Sequence, residues 1–272
     1  MNWIAPILLL LVGFSAWAES PLIVLDSGHT PSHPGAISTC GKPEVDYNDQ
    51  TVAILKKALE KNYRVLLTRL PDHEVLPSSA GDNSNELGRE SGASLSRRAE
   101  IANEAGAQVL ISIHHDSVDD DPANGLVAFD PAICDGHGGF RISPAFKAQN
   151  KIGYNIFVTA GQRGPRLEGA TRLATLIGKR LAADGLTASN YHIPETGDCK
   201  SCFPVDINAG VWNQTLRVLR ESKMPAILIE TENISDPDLE KLADSKAFNA
   251  LIAAAIKGGL DEYCTERPCQ KP

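Results

Sequence analysis

Five short aliphatic runs recur along this chain, at residues 22–25, 63–68, 108–113, 154–159 and 226–229, each rich in Val, Ile and Leu. Several are apolar at consecutive positions rather than alternate ones, the pattern of central strands covered on both faces. The stretches between them carry apolar residues at helical spacing: Val52, Leu55 and Leu59; Leu95, Ala99 and Ala102; Leu173, Leu176, Ile177 and Leu181; and Leu251, Ala255 and Ile256. This alternation predicts an α/β fold: a single layered domain with a mostly parallel or mixed twisted sheet of about six strands and helices on both faces. Of 272 residues, 42% are hydrophobic and 22% charged, which excludes a disordered chain and a polytopic membrane protein. A net charge of -8 without any Lys/Arg-rich run argues against nucleic acid as a partner.

The N-terminus departs from this rhythm. Residues 4–14 are almost unbroken apolar sequence, followed by Ala16-Trp17-Ala18, so residues 1–18 read as a secretory signal peptide and 19–272 as the exported domain, in the periplasm or outside the cell. The segment before the apolar run contains no Lys or Arg, so an uncleaved anchor is the other reading, although the run is shorter than the ~20 residues of a bilayer span. No stable membrane insertion is expected after cleavage. Six cysteines fit an oxidising compartment. Cys199 with Cys202 and Cys264 with Cys269 are local pairs; if both form, Cys40 and Cys134 remain as a long-range staple. A four-cysteine zinc site is the alternative for the two local pairs. Stretches 71–93 and 118–168 read as long loops, of the kind that carry function.

In an open α/β sheet, ligands bind beyond the carboxyl ends of the strands. Three of the runs end in titratable groups there: Asp26-Ser27-Gly28-His29, His114-His115-Asp116 and Glu230-Thr231-Glu232. A catalytic zinc needs three protein ligands, an open position for water and a separate carboxylate for that water's proton. His29 and one of His114 or His115 supply imidazoles, Glu44 at the start of a helix is a candidate third ligand, and Glu230 is a candidate base.

These residues stand in motifs that resemble the zinc-dependent N-acetylmuramoyl-L-alanine amidases of bacterial cell wall. The matching segments are Asp26-Ser27-Gly28-His29 with Pro34-Gly35-Ala36; Glu44-Val45-Asp46-Tyr47-Asn48; Thr68-Arg69; Leu95, Arg98, Ala102 and Asn103; Ser112-Ile113-His114 with Asp116; and Met224-Pro225-Ala226 followed by Glu230-Thr231-Glu232-Asn233-Ile234-Ser235-Asp236-Pro237. They run in order over most of the exported chain. The resemblance selects His114 over His115. It implies one Zn2+ per chain held by His29, Glu44 and His114, Glu230 as the catalytic base, and peptidoglycan or muropeptides as substrate; an activator protein is a further candidate partner. Two departures stand out: Thr30-Pro31-Ser32-His33 replaces a Gly-rich stretch, and Glu232 replaces a Gly beside the base, where it is expected to be solvated. A Cys40–Cys134 bridge would tie loops around the site. The segment after His114 would either cover the metal or line the substrate path. Competing readings are a catalytically silent binding homologue and a zinc carboxypeptidase with a carboxylate clamp drawn from Arg69, Arg98 or Arg163.

Overall fold

A computed structural model describes residues 20–75, 92–118, 121–149, 152–190, 202–266 and 269. The expectations for residues 1–18, for most of 71–93 and for Cys199 lie outside the described residues. The first half runs β1 (Leu22–Ser27), α1 (Glu44–Leu59), β2 (Arg64–Leu67), α2 (Gly92–Glu104) and β3 (Val109–Asp116). A small excursion follows: β4 (Val127–Asp130), β5 (Gly139–Ile142) and α3 (Pro144–Lys147). The second half comprises β6 (Asn155–Val158), α4 (Pro165–Ala183), β7 (Phe203–Asp206), β8 (Val211–Asn213), α5 (Arg217–Glu221), β9 (Ala226–Asn233), α6 (Pro237–Ala243) and α7 (Lys246–Glu266).

Seven strands form one mixed sheet in the order β2-β1-β3-β9-β6-β8-β7, and β4 and β5 pair as a separate antiparallel hairpin. From β2 to β9 the pairing is parallel; β6 runs antiparallel to β9. All five sequence-predicted strands lie in the main sheet. The other two are the short strand β8 and the edge strand β7, whose few residues, with Pro204 inside β7, carry little periodic signal.

Alternate residues of each central strand enter opposite layers, which is why these strands read as unbroken apolar runs. Ile23, Leu25, Val109, Ile111, Ile113, Ile227 and Ile229 join Val52, Leu55, Leu59, Leu173, Ile177, Ile252 and Ile256 from α1, α4 and α7. Leu22, Val24, Leu110, Ala226 and Leu228 meet Ala102 of α2 and Val218 and Leu219 of α5. With both faces sealed, the parallel strands can admit a ligand only beyond their ends.

The described residues of the span read as one long loop, 118–168, carry the β4–β5 hairpin and α3 before β6. Its hairpin buries Val127 and Ile142 with Val118 and Phe146 in a core of its own. Cys40–Cys134 joins this hairpin to the loop before α1, and Cys264–Cys269 closes the C-terminus. The second pair rules out the four-cysteine zinc site.

Candidate active site

β1, β3 and β9 are adjacent and parallel, so their carboxyl ends open on one edge of the sheet. Register places His114 of β3 opposite Glu230 of β9, while Ser27 at the end of β1 stands opposite Ile113. His29 therefore reaches the same level two residues beyond β1. It does so with φ of 63°, a left-handed conformation that costs a non-glycine residue about 1–2 kcal/mol.

Two buried arginines hold that turn. Arg98 Nη2 donates to the His29 carbonyl at 2.6 Å and Arg69 Nε to the same oxygen at 2.8 Å. Arg98 also pairs with Asp26 at 2.6 Å, and Arg69 grips both oxygens of Asp49, at 2.7 and 3.1 Å. Asp26 further accepts from Thr68 and Ser112 at 2.5 and 2.6 Å. Burial raises the Asp26 pKa, but the Arg98 charge and these hydrogen bonds outweigh it and bring it down to about 2.

Glu44 arrives from the first turn of α1. The N-terminus of α1 is capped by backbone rather than a side chain: Glu44 N–H donates to Ala36 O at 2.8 Å and Val45 N–H to Pro34 O at 3.0 Å. The Pro34-Gly35-Ala36 turn thus fixes where Glu44 points. Its Oε2 lies 3.0 Å from His29 Nε2 and its Oε1 3.1 Å from His114 Nδ1. The remaining capacity of the carboxylate is met by N–H donors of Ala36 at 3.1 Å, His115 at 3.2 Å and Asn48 at 3.2 Å. Burial raises the Glu44 pKa, yet hydrogen bonds and charge from His114 and His29 hold it well below the carboxylate range.

Donor atoms of His29, Glu44 and His114 all lie within 4.8 Å of one another, and this is the one group with metal-site geometry among the described residues. Two glycines make room for it. A Cβ at Gly28 would come 2.2 Å from His114 Nε2, and one at Gly35 would come 2.4 Å from Glu44 Oε2. The three side chains and Glu230 line a single cleft of about 620 Å³, with an apolar wall of Leu95, Leu216, Val218 and Leu228.

The N-acetylmuramoyl-L-alanine amidase family model matches residues 23–262. The chain belongs to this family. Among its relatives, the amidase AmiC of Neisseria meningitidis serogroup B is 27% identical over 249 residues, covering 89% of this chain and 52% of that protein. The amidase AmiA of Salmonella typhimurium is 26% identical, covering 89% of this chain and 75% of its own. The chain thus spans about half the length of the first and three quarters of the second. Among solved structures, an N-acetylmuramoyl-L-alanine amidase of Clostridium difficile 630 shares the fold with a TM-score of 0.62 at 20% identity, over 92% of this chain and all of that one. The CwlD amidase of Clostridioides difficile, in complex with the GerS lipoprotein, aligns with a TM-score of 0.59 at 19% identity, over 90% of this chain and 99% of that one.

The structure separates the two adjacent histidines that spacing alone left open. His114 faces Glu44, whereas His115 is buried on the other side of β3, its Nδ1 2.8 Å from Asn48 Oδ1. Burial drives the His115 pKa down to about 3 against the pull of the Glu44 charge, with His114 adding repulsion, so it is a neutral residue that positions Asn48 and, through it, Glu44. Arg69 and Arg98 are spent on the His29 turn and Arg163 does not line the cleft, so none of the three forms a carboxylate clamp. Arg217, which no sequence motif had marked, does line it. No described residue of the span after Val118 lines the cleft until Leu216.

Glu232 corrects another expectation. It is not solvated but 6% exposed, away from the cleft, in a small cavity with Lys147 and Leu239. Burial raises its pKa to about 7, with Asp116 adding repulsion and the Asn233 N–H opposing. A carboxyl that stays protonated in the folded state up to about pH 7 stabilises most below its ordinary pKa of 4.5 and progressively less as pH rises through 7. Urea unfolding between pH 4.5 and 8 should therefore give Glu232→Gln an advantage over the parent that grows with pH by on the order of 3 kcal/mol; parallel curves would refute the assignment.

Proposed function

We propose that this chain is an exported, zinc-dependent hydrolase that cleaves the amide between N-acetylmuramic acid and L-alanine in peptidoglycan or its fragments. The observation that carries this reading is the convergence of three ligand-type side chains on one point beside Glu230, at the end of a sealed sheet. The donor set fits one zinc: two imidazoles and one carboxylate are the ligands of catalytic zinc sites that keep a position open. The cradle left by Gly28 and Gly35 and the ionised state of Glu44 support the same fit. His29 would bind through Nε2, His114 through Nδ1 and Glu44 through its carboxylate.

Zinc held there would supply Lewis-acid polarisation of an amide carbonyl and acidify a water molecule. Glu230 takes a proton from the attacking water as the water oxygen adds to the lactyl carbonyl carbon. It then hands the proton to the departing nitrogen of L-alanine as the C–N bond breaks, leaving a muramic carboxylate and a free amine. The apolar wall of Leu95, Leu216, Val218 and Leu228 accommodates the lactyl and alanyl methyl groups and keeps bulk water from the reacting bond. Export is supported by the Cys40–Cys134 and Cys264–Cys269 bridges, which belong to an oxidising compartment. A protein partner is part of this reading on the precedent of the CwlD–GerS complex.

Glu230→Gln keeps shape and metal but removes the base, so turnover of purified cell wall should fall at least ~100-fold at full zinc content. Mass spectrometry of the parent's products should find peptides with a new L-alanine amino terminus. A released carboxy-terminal amino acid would instead identify a carboxypeptidase, and no turnover a silent homologue. His29→Ala, Glu44→Ala and His114→Ala should each lose tightly bound zinc and activity while the sheet stays folded, since its core does not depend on the metal. His115→Ala should keep stoichiometric zinc with affinity weakened about tenfold. Metal analysis showing loss of zinc from the His115 variant and retention in the His114 variant would overturn the ligand set.

A further inference from the structure

A second groove, of about 610 Å³, runs between the loop at residues 36–41 and the β4–β5 hairpin. It meets the catalytic cleft at Ala36 and Ser117, which line both. Ala36 is the residue whose N–H holds Glu44, so the groove begins beside the ligand set. Its chemistry differs from that of the cleft: no ionisable side chain lines it among the described residues, whereas the cleft carries Arg217 and His33. Two large apolar side chains project there into solvent, Ile37 at 57% and Phe129 at 59% exposure.

Phe129 is held in place despite that exposure. Phe140 meets it edge to face at 5.7 Å, and Gly138 leaves the space that its ring fills, since a Cβ there would come 2.6 Å from the ring's Cζ. The two walls are fastened to each other by the Cys40–Cys134 bridge and by the Thr39 hydroxyl, which donates to Phe140 O at 2.5 Å and accepts from Phe140 N–H at 2.9 Å. A fixed, uncharged groove with an exposed ring, continuous with a catalytic cleft, has the size and make-up of a ligand site.

Resting on the amidase reading, we infer that this groove is a glycan subsite, which takes neutral N-acetylated hexosamine units flanking the muramic acid whose amide is cut. A pyranose presents an apolar C–H face to an aromatic ring, and an acetamido methyl suits Ile37 and Val118. The stem peptide carries free carboxylates, for which this groove offers no cation; Arg217 in the cleft does. The glycan strand thus leaves the reacting bond past Ala36 and Ser117, and the peptide leaves on the Arg217 side. Phe129 and Ile37 become the residues that favour polymeric over single-sugar substrates.

The probe is tetra-N-acetylchitotetraose, titrated calorimetrically into the zinc-loaded exported chain. It should bind saturably, about tenfold more weakly to Phe129→Ala, the size of one lost aromatic contact, and with parental affinity to Phe129→Trp. Gly138→Ala, which displaces the ring without removing it, should weaken binding in the same direction. In kinetics, Phe129→Ala should raise KM on a tetrasaccharide muropeptide about tenfold more than on a single muramyl peptide. Absence of tetramer binding to the parent, or equal binding by Phe129→Ala, overturns the subsite. Cleavage of muropeptides without sugar binding defeats the groove alone; sugar binding without cleavage defeats the amidase reading and leaves the groove standing.

Discussion

The left-handed turn at His29 is the constraint on which the site depends. A histidine at φ 63° would relax if nothing held its carbonyl, and two guanidinium groups hold it from opposite partners, Arg98 anchored to Asp26 and Arg69 anchored to Asp49. Breaking a buried pair of this kind costs about 3–5 kcal/mol, more than the strain it restrains. The turn sends the His29 ring back over the sheet edge toward Glu44 instead of outward along the strand.

Glu44 is fixed by a different device. Helix α1 uses the carbonyls of the Pro34-Gly35-Ala36 turn as its cap, and the same turn must pass so close to the carboxylate that only glycine fits at 35. Acidic placement in the first turn of a helix is favourable for an ionised group. His114 needs neither device, because strand register alone sets it beside Glu230. Three ligand-type side chains are thus located by three unrelated constraints: a clamped turn, a helix cap and a ladder.

Strands β1, β2, β3, β6 and β9 were legible in the sequence as aliphatic runs, and the candidate residues His29, Glu44, His114 and Glu230 stood out as strand ends bearing His or Glu and a helix opening at Glu44. The resemblance marked Thr68, Arg69 and Arg98 without giving them a purpose, since guanidinium groups that bind a backbone carbonyl far along the chain leave no periodic trace. For the same reason Arg69 and Arg98 read as possible substrate clamps. The β4–β5 hairpin was hidden behind Gly, Pro and Asp residues that resemble a loop, and its strands are only four residues each. Glu232 read as a solvated neighbour of Glu230 because they are two residues apart; the irregular pairing of β3 with β9 near Asp116 and burial against Lys147 turn it to another cavity.

Zinc K-edge absorption on the metal-loaded protein reads the atoms bound to the metal together with the imidazole rings behind them, and so checks the proposed metal site itself. The spectrum should show scattering from two imidazoles and from oxygen, with no sulfur, since the described cysteines are all in disulfides. A sulfur shell, or a single imidazole, would contradict the assembly of His29, Glu44 and His114 into one metal site.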